Sequence, residues 1–271
     1  MKDQAIIHRI NHESRTDIIK IKPIMDLHYG SSTCDVKAFK QYIADRDEHT
    51  WFVTNGDLMD SILFNDKRYQ RSMDMSDKGL DEVIDADIIA VYKLLEPIRD
   101  RILAIGHGNH EQTIVKRCGT NPSKRLAEML GCPYMGYSYW LRLILERQKG
   151  HITNVDFMIS HGFGGGCRTE GGSLTKYSKA ADRFDADVLI YGHDHKKNFT
   201  RYPILLLDAS SKAKLIAKPK LVCLGGSWKK TYTDNISASW EECSGFPPSE
   251  LGGITIEIKH KEQGVGLSVS M

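Results

Sequence analysis

The sequence predicts an α/β protein built on mixed sheets, and three observations carry that expectation. In the first half, short apolar stretches alternate with segments of helical spacing. In the second half, strand-length stretches follow one another closely, and no internal repeat or low-complexity segment interrupts either half.

Residues 16–25 read as a strand, with Pro23 marking a bulge or an edge near its end. Val36, Phe39, Ile43 and Ala44 give residues 36–47 a helical face, and residues 51–54 form a short buried strand. Residues 64–78 turn polar, as a loop or excursion over one face would. Leu80, Val83, Ile84, Ile88, Val91 and Leu95 recur at three-four spacing until Pro97 stops the helix. A strand at 101–105 follows, then a helix at 122–130 with Pro122 in its first turn and Gly131 at its end. Strands are expected at 138–146, 153–160, 188–191, 199–202 and 204–207. A glycine-rich loop and a helix at 173–183 separate the second and third of these. Residues 227–248 are rich in Ser, Thr, Trp and Glu and read as a surface-wrapping segment, with strand character returning at 253–259. The expectation is one domain over residues 1–271 whose wrapping segment covers about 227–271.

The 37 Lys and Arg against 35 Asp and Glu leave a formal charge of +2 at pH 7. That balance excludes a dedicated polyanion binder, so a phosphate-bearing ligand needs a local site. No stretch approaches the roughly 18 apolar residues of a membrane span, and the charged start of the chain lacks the apolar core of a signal peptide. The six cysteines lie far apart without a CxxC pair, as free thiols in a reducing compartment do, and a cytoplasmic location is expected.

Five clusters put Asp, His or Asn directly after an expected strand. They are Asp26 and His28; Gly56, Asp57 and Asp60; Gly108, Asn109, His110 and Glu111; Ser160, His161 and Gly162; and Gly192, His193, Asp194 and His195. Singly, each is ordinary turn chemistry. Two residues apart in an extended backbone point the same way, which pairs Asp26 with His28 and His193 with His195. Together the clusters offer a mixture of carboxylate, imidazole and amide that suits Mn²⁺, Fe or Zn²⁺ and is too rich in nitrogen for Ca²⁺.

In this order, D-x-H, G-D, G-N-H-E, H-G and G-H-x-H resemble the signature of the calcineurin-like metallophosphoesterases. The resemblance implies a four-layer sandwich of two mixed sheets flanked by helices, with two metal ions at the strand ends. It implies that one ion takes Asp26, His28, Asp57 and His195, and the other Asp57, Asn109, His161 and His193. Asp57 then bridges, as two cations about 3.5–4 Å apart require of a shared anion. His110 would stabilise the transition state or protonate the leaving oxygen. Two divalent or trivalent ions are implied, with Mn²⁺ foremost.

Of the other candidates, Asp60 and Glu111 read either as groups that orient histidines or as turn and helix-start residues, and Asp194 as solvated or as a support of its neighbours. His107 and His151 read as packing or solvent histidines. The loop at 162–166 reads either as a flexible connection or as a close backbone approach to an anion, where Arg168 or Lys176 would grip a phosphate that does not react. Similar loops occur in metallophosphoesterases of phage and bacterial genomes, a looser resemblance.

The function expected is hydrolysis of a phosphodiester, with nucleotides or nucleic acid as substrate class and no membrane partner. A phosphomonoesterase and a non-catalytic metal-bound scaffold are the alternatives. The metallo-β-lactamase pattern H-x-H-x-D-H is excluded, because Lys196 and Lys197 follow His195.

Overall fold

Apolar residues of two sheets meet face to face and form the central core. The computed structural model describes residues 5–62, 83–147, 151–167, 169–208, 213–233, 238–261 and 264–271. The first sheet contains β2 (Ile18–Ile24), β3 (Thr50–Thr54), β4 (Ile102–Gly106), β5 (Tyr134–Gly136), β12 (Thr255–His260) and β13 (Val265–Ser270), in the order β13-β12-β2-β3-β4-β5. Strands β2 to β5 run parallel, and β12 and β13 are antiparallel additions. The second sheet contains β1 (Ala5–His12), β6 (Ser138–Arg147), β7 (His151–Ser160), β8 (Val188–Tyr191), β10 (Leu215–Ser227) and β11 (Gly252–Gly253) in that order, with β9 (Lys197–Leu207) on β10. It too mixes parallel and antiparallel pairs.

Ile19, Ile21, Val53 and Ile256 from one sheet pack with Leu141, Phe157, Ile190 and Leu221 from the other. The outer face of the first sheet is covered by α1 (Val36–Ala44), α2 (Val83–Leu95) and α4 (Pro122–Leu130) through Phe39, Ile43, Ile88, Val91 and Leu126. The outer face of the second is covered by α5 (Glu170–Ala181) through Tyr177 and Ala181. Helix, sheet, sheet, helix is the four-layer order that the resemblance implies.

Local chemistry sets the helix limits. Asp35 caps α1 by accepting the Ala38 N–H at 2.9 Å, and Asn121 caps α4 by accepting that of Lys124 at 2.9 Å. Gly131, at φ 73°, ends α4 in the left-handed conformation that glycine tolerates best.

Four expectations are corrected. Pro23 is not on an edge strand: β2 is interior, and Pro23 lies beyond Ile21, the last residue paired to β12. Residues 199–202 and 204–207 belong to one strand, because Pro203 faces Pro219 across the β9–β10 pair. Two prolines fit opposite each other only where the ladder asks neither for an N–H. The helix expected at 173–183 is displaced to Glu170–Ala181. The strand at 253–259 begins two residues later and joins the first sheet beside β2, so the C-terminal segment passes from β11 on one sheet to β12 on the other. The excursion at 64–78 lies outside the described residues. Among the described residues, no helix is long and apolar enough to cross a membrane.

Candidate metal centre

The carboxyl ends of parallel strands from both sheets converge at one rim. Asp26 and His28 follow β2, Asp57 follows β3, and Asn109 opens α3 (Asn109–Cys118) after β4. His161 follows β7, while His193 and His195 follow β8. The loops after β3 and β4 meet backbone to backbone. A Cβ on Gly56 would sit 2.1 Å from the Gly108 nitrogen, and one on Gly108 would sit 2.0 Å from Asp57 Oδ1. Glycine is therefore required at both positions.

Five of the converging residues have a left-handed backbone: Asp26 at φ 50°, His28 at 51°, Asp57 at 49°, His193 at 71° and His195 at 53°. This corrects the extended-strand reasoning for the i, i+2 pairs. His28 does lie near Asp26, with Nε2 3.9 Å from Oδ1. His193 and His195 instead part company. His195 Nε2 faces His28 Nε2 at 2.9 Å and Asp26 Oδ1 at 3.6 Å, whereas His193 Nδ1 faces Asn109 Oδ1 at 2.8 Å. His195 thus sides with Asp26 and His28, and His193 with Asn109.

Between the sets lies Asp57. Its Oδ2 is 3.3 Å from His161 Nε2, 3.8 Å from His28 Nε2 and 3.8 Å from His110 Nε2. Its Oδ1 accepts the His110 backbone N–H at 3.0 Å.

The far nitrogens of three histidines fix which atom faces inward. His28 Nδ1 donates to Asp60 Oδ1 at 3.1 Å, His161 Nδ1 to the Asn55 carbonyl at 2.9 Å, and His193 Nε2 to the Gly164 carbonyl at 2.6 Å. When neutral, each ring presents a bare nitrogen to the centre, the arrangement that metal-ligating histidines adopt.

These donors fit cations. Among the described residues, the buried Asp26 Oδ1 finds no hydrogen-bond partner. Asn109 Oδ1 faces His193 Nδ1 at 2.8 Å, a ring nitrogen left bare once Nε2 donates to the Gly164 carbonyl, so an acceptor meets an acceptor. Burial pushes His28 and His195 well below the ordinary imidazole range, which keeps their lone pairs available, and it pushes Asp26 well above the carboxylate range. Burial alone would raise Asp57 too, but His161 and His110 beside it hold it well below the usual range. Burial pulls His161 down, yet Asp57 outweighs it and pushes the ring up to about 10. In the metal-free chain a proton on His161 thus answers the Asp57 charge that a cation would answer in the loaded one. The buried His and Asp groups Asp26–His28–His195, His28–Asp57–His110 and Asp26–Asp57–His161 suit a dinuclear site.

Of the supporting residues, Asp60 orients His28, and its carbonyl accepts from His110 Nδ1. Among the described residues, the hydrogen-bond partners of Glu111 are backbone groups and no histidine ring. Fully buried, its carboxylate accepts backbone N–H groups from Asp57, Leu58, Met59 and Gly108 at 2.8–3.2 Å, clamping the Asp57 loop to the start of α3. Glu111→Ala is expected to lower stability by roughly 3–5 kcal/mol, since those buried donors lose their acceptor, and Glu111→Gln by less. Denaturant unfolding of both variants measures the difference.

Lys176 does not reach toward a ligand. Its ammonium binds Asp194 Oδ1 at 2.7 Å and the carbonyls of Phe163 and Gly165 at 3.0 and 3.3 Å, so it pins the glycine-rich loop to α5. Asp194 is accordingly a buried partner of Lys176, not a solvated residue. The loop carbonyl of Gly164, not an N–H, faces His193. Arg168 lies outside the described residues. His107 is buried, with Nδ1 3.3 Å from Ser123 Oγ. Sequence reasoning missed Lys229, Trp240 and Phe246, which line the cavity beside the donors. Lys229 follows the end of β10 as the recognised clusters follow their strands, and that position was the available signal.

No protein-family model and no curated protein matches the sequence. Solved structures similar to the chain include a calcineurin-like phosphoesterase, YfkN, from Bacillus subtilis, at 12% identity over 94% of this chain and 90% of that one, with a TM-score of 0.44. A metallophosphoesterase from Sphaerobacter thermophilus is similar at 12% identity over 93% and 89%, with a TM-score of 0.37. Vps29 from Entamoeba histolytica, complexed with zinc, is similar at 12% identity over 94% and 98%, with a TM-score of 0.32.

Proposed function

We propose that this chain is a calcineurin-like metallophosphoesterase that hydrolyses phosphodiesters, with nucleotides or nucleic acid as its substrate class. The observation that carries the reading is Asp57 Oδ2. One carboxylate oxygen lies within 3.8 Å of His28, His161 and His110, which join both ligand sets and the one histidine outside them. Asp26, His28, Asp57 and His195 would hold one ion, and Asp57, Asn109, His161 and His193 the other. When bound, such a pair of cations supplies electrophilic stabilisation of phosphoryl oxygens and a water acidic enough to attack phosphorus.

The chain's own residues do the rest. Asp60 and Asn55 hold His28 and His161 in the tautomers that ligate. His110 Nδ1 carries a proton toward the Asp60 carbonyl, so in the protonated ring Nε2–H is the proton that faces the centre. From Nε2 it passes to the leaving oxygen as the ester bond breaks.

Chelation should abolish turnover, and Mn²⁺ should restore it better than Ca²⁺, which the imidazole donors disfavour. The test is hydrolysis of paired mono- and diesters by the Mn²⁺-loaded protein, with metal content measured alongside. Two ions per chain and diester turnover support the reading. Preference for monoesters would make the chain a phosphatase, and two ions without turnover would make it a scaffold.

A further inference from the structure

The cavity at the metal centre, about 350 Å³, has two unlike walls. The donors form one. The other comes from the C-terminal segment, where Trp240 and Phe246 stand side by side, ring centroids 5.9 Å apart and planes tilted by 37°. Each ring is half-buried and neither covers the other face to face, so both help line the cavity.

This wall is fixed relative to the centre. Ser239 caps the short helix α6 (Trp240–Cys243) by accepting the Glu242 N–H at 2.9 Å, and its hydroxyl donates to the Thr231 carbonyl. The Phe246 N–H donates back to the Glu241 carbonyl at 3.0 Å. Lys229 then ties the wall to the centre, with its ammonium 2.6 Å from Glu241 Oε1 and 3.9 Å from Asp60 Oδ1, the carboxylate that orients His28. A rigid aromatic surface binds a flat ligand without the entropy cost of ordering itself.

We infer that Trp240 and Phe246 form a stacking wall for the base of a nucleotide whose phosphorus lies at the metal donors, an assignment that rests on the phosphoesterase reading above. The substrate is then a small nucleotide ester, and these two rings set its specificity. Three observations select that class. The volume lies at the low end of the roughly 300–1,000 Å³ typical of small-molecule sites, which suits one nucleotide unit and not a folded polymer. The formal charge of +2 provides no general attraction for a polyanion. Glu241 and Ser249 border the same wall and, although Lys229 and Thr231 already engage them, they set polar oxygens beside the rings that a base edge can use and an alkyl chain cannot.

The test compares p-nitrophenyl thymidine 5′-phosphate with its abasic counterpart, p-nitrophenyl deoxyribose 5-phosphate, which has the same leaving group. With Mn²⁺-loaded wild type, kcat/KM should favour the nucleotide by roughly 5- to 150-fold, the worth of stacking one base on an aromatic ring. Trp240→Ala should bring the ratio close to one, and Trp240→Leu, which keeps apolar bulk and the fold, should lower it nearly as far. Trp240→Phe should retain part of it. A wild-type ratio near one, or a ratio that Trp240→Leu leaves intact, overturns the wall. If wild type turns over neither ester, the phosphoesterase reading fails and AMP binding, measured by equilibrium dialysis with Mn²⁺ present, decides the wall separately. Weaker AMP binding by Trp240→Leu retains it, and equal binding overturns it. Faster turnover of a phosphotyrosine peptide than of the nucleotide would assign the rings to another substrate class and overturn the inference.

Discussion

Asp57→Asn is expected to strip both ions from the protein and to slow diester turnover by roughly 10³-fold or more, as loss of several kcal/mol of electrophilic stabilisation requires. The substitution preserves shape and replaces one anionic oxygen with an uncharged amide group. That oxygen is the atom facing His28, His161 and His110 at 3.3–3.8 Å. Replacing a ligand of one set alone, as in His195→Ala, should remove a single ion. Elemental analysis of the two variants against wild type is the direct comparison. Retention of one tightly held ion by Asp57→Asn would contradict the bridge.

His110→Ala should keep the fold and most of the metal yet slow turnover by roughly 10²- to 10⁴-fold, about 3–5 kcal/mol of barrier. The side chain is 10% exposed and is held by the Asp60 carbonyl, so its removal leaves a small wettable gap beside the cavity and not a hole in the core. The choice of substrate matters. A nitrophenolate leaves without much protonation, so the loss should appear in full only with an alkoxide leaving group. Turnover of an alkyl diester near the wild-type rate would remove His110 from the reaction.

Much of the fold was legible because burial leaves a period. α4 matches its expected limits, 122–130, since proline, asparagine and glycine mark both ends. The elements that escaped notice carry little apolar pattern. β1 is an edge strand whose one buried apolar residue is Ile10. α3 buries Glu111 and Ile114, so a carboxylate stands where a helical stripe would show a hydrophobe. β10 contains Lys220, whose buried ammonium is satisfied by the carbonyls of Ala181 and Phe184 at 2.9 and 2.6 Å, so a core position is written as a charge. In the site, the clusters could be read because each follows a strand and combines residue types that ligate metals. Glu111 and Trp240 could not be assigned that way. Glu111 acts on backbone N–H groups, which no side-chain pattern reveals, and Trp240 reaches the cavity only through the path of the C-terminal segment.

The left-handed backbones at Asp26, His28, Asp57, His193 and His195 also bear on how this protein would change under selection. For a residue with a Cβ, that conformation costs on the order of 1 kcal/mol, and glycine escapes most of it. At these positions the change that relaxes the main chain is the one that deletes a metal donor. Laboratory evolution toward thermal tolerance alone, with no demand for catalysis, would therefore accept glycine at the rim only where the relief exceeds what the side chain contributes. Asp57, which accepts the His110 N–H, and Asp26, which accepts that of His193, hold their places on folding grounds as well.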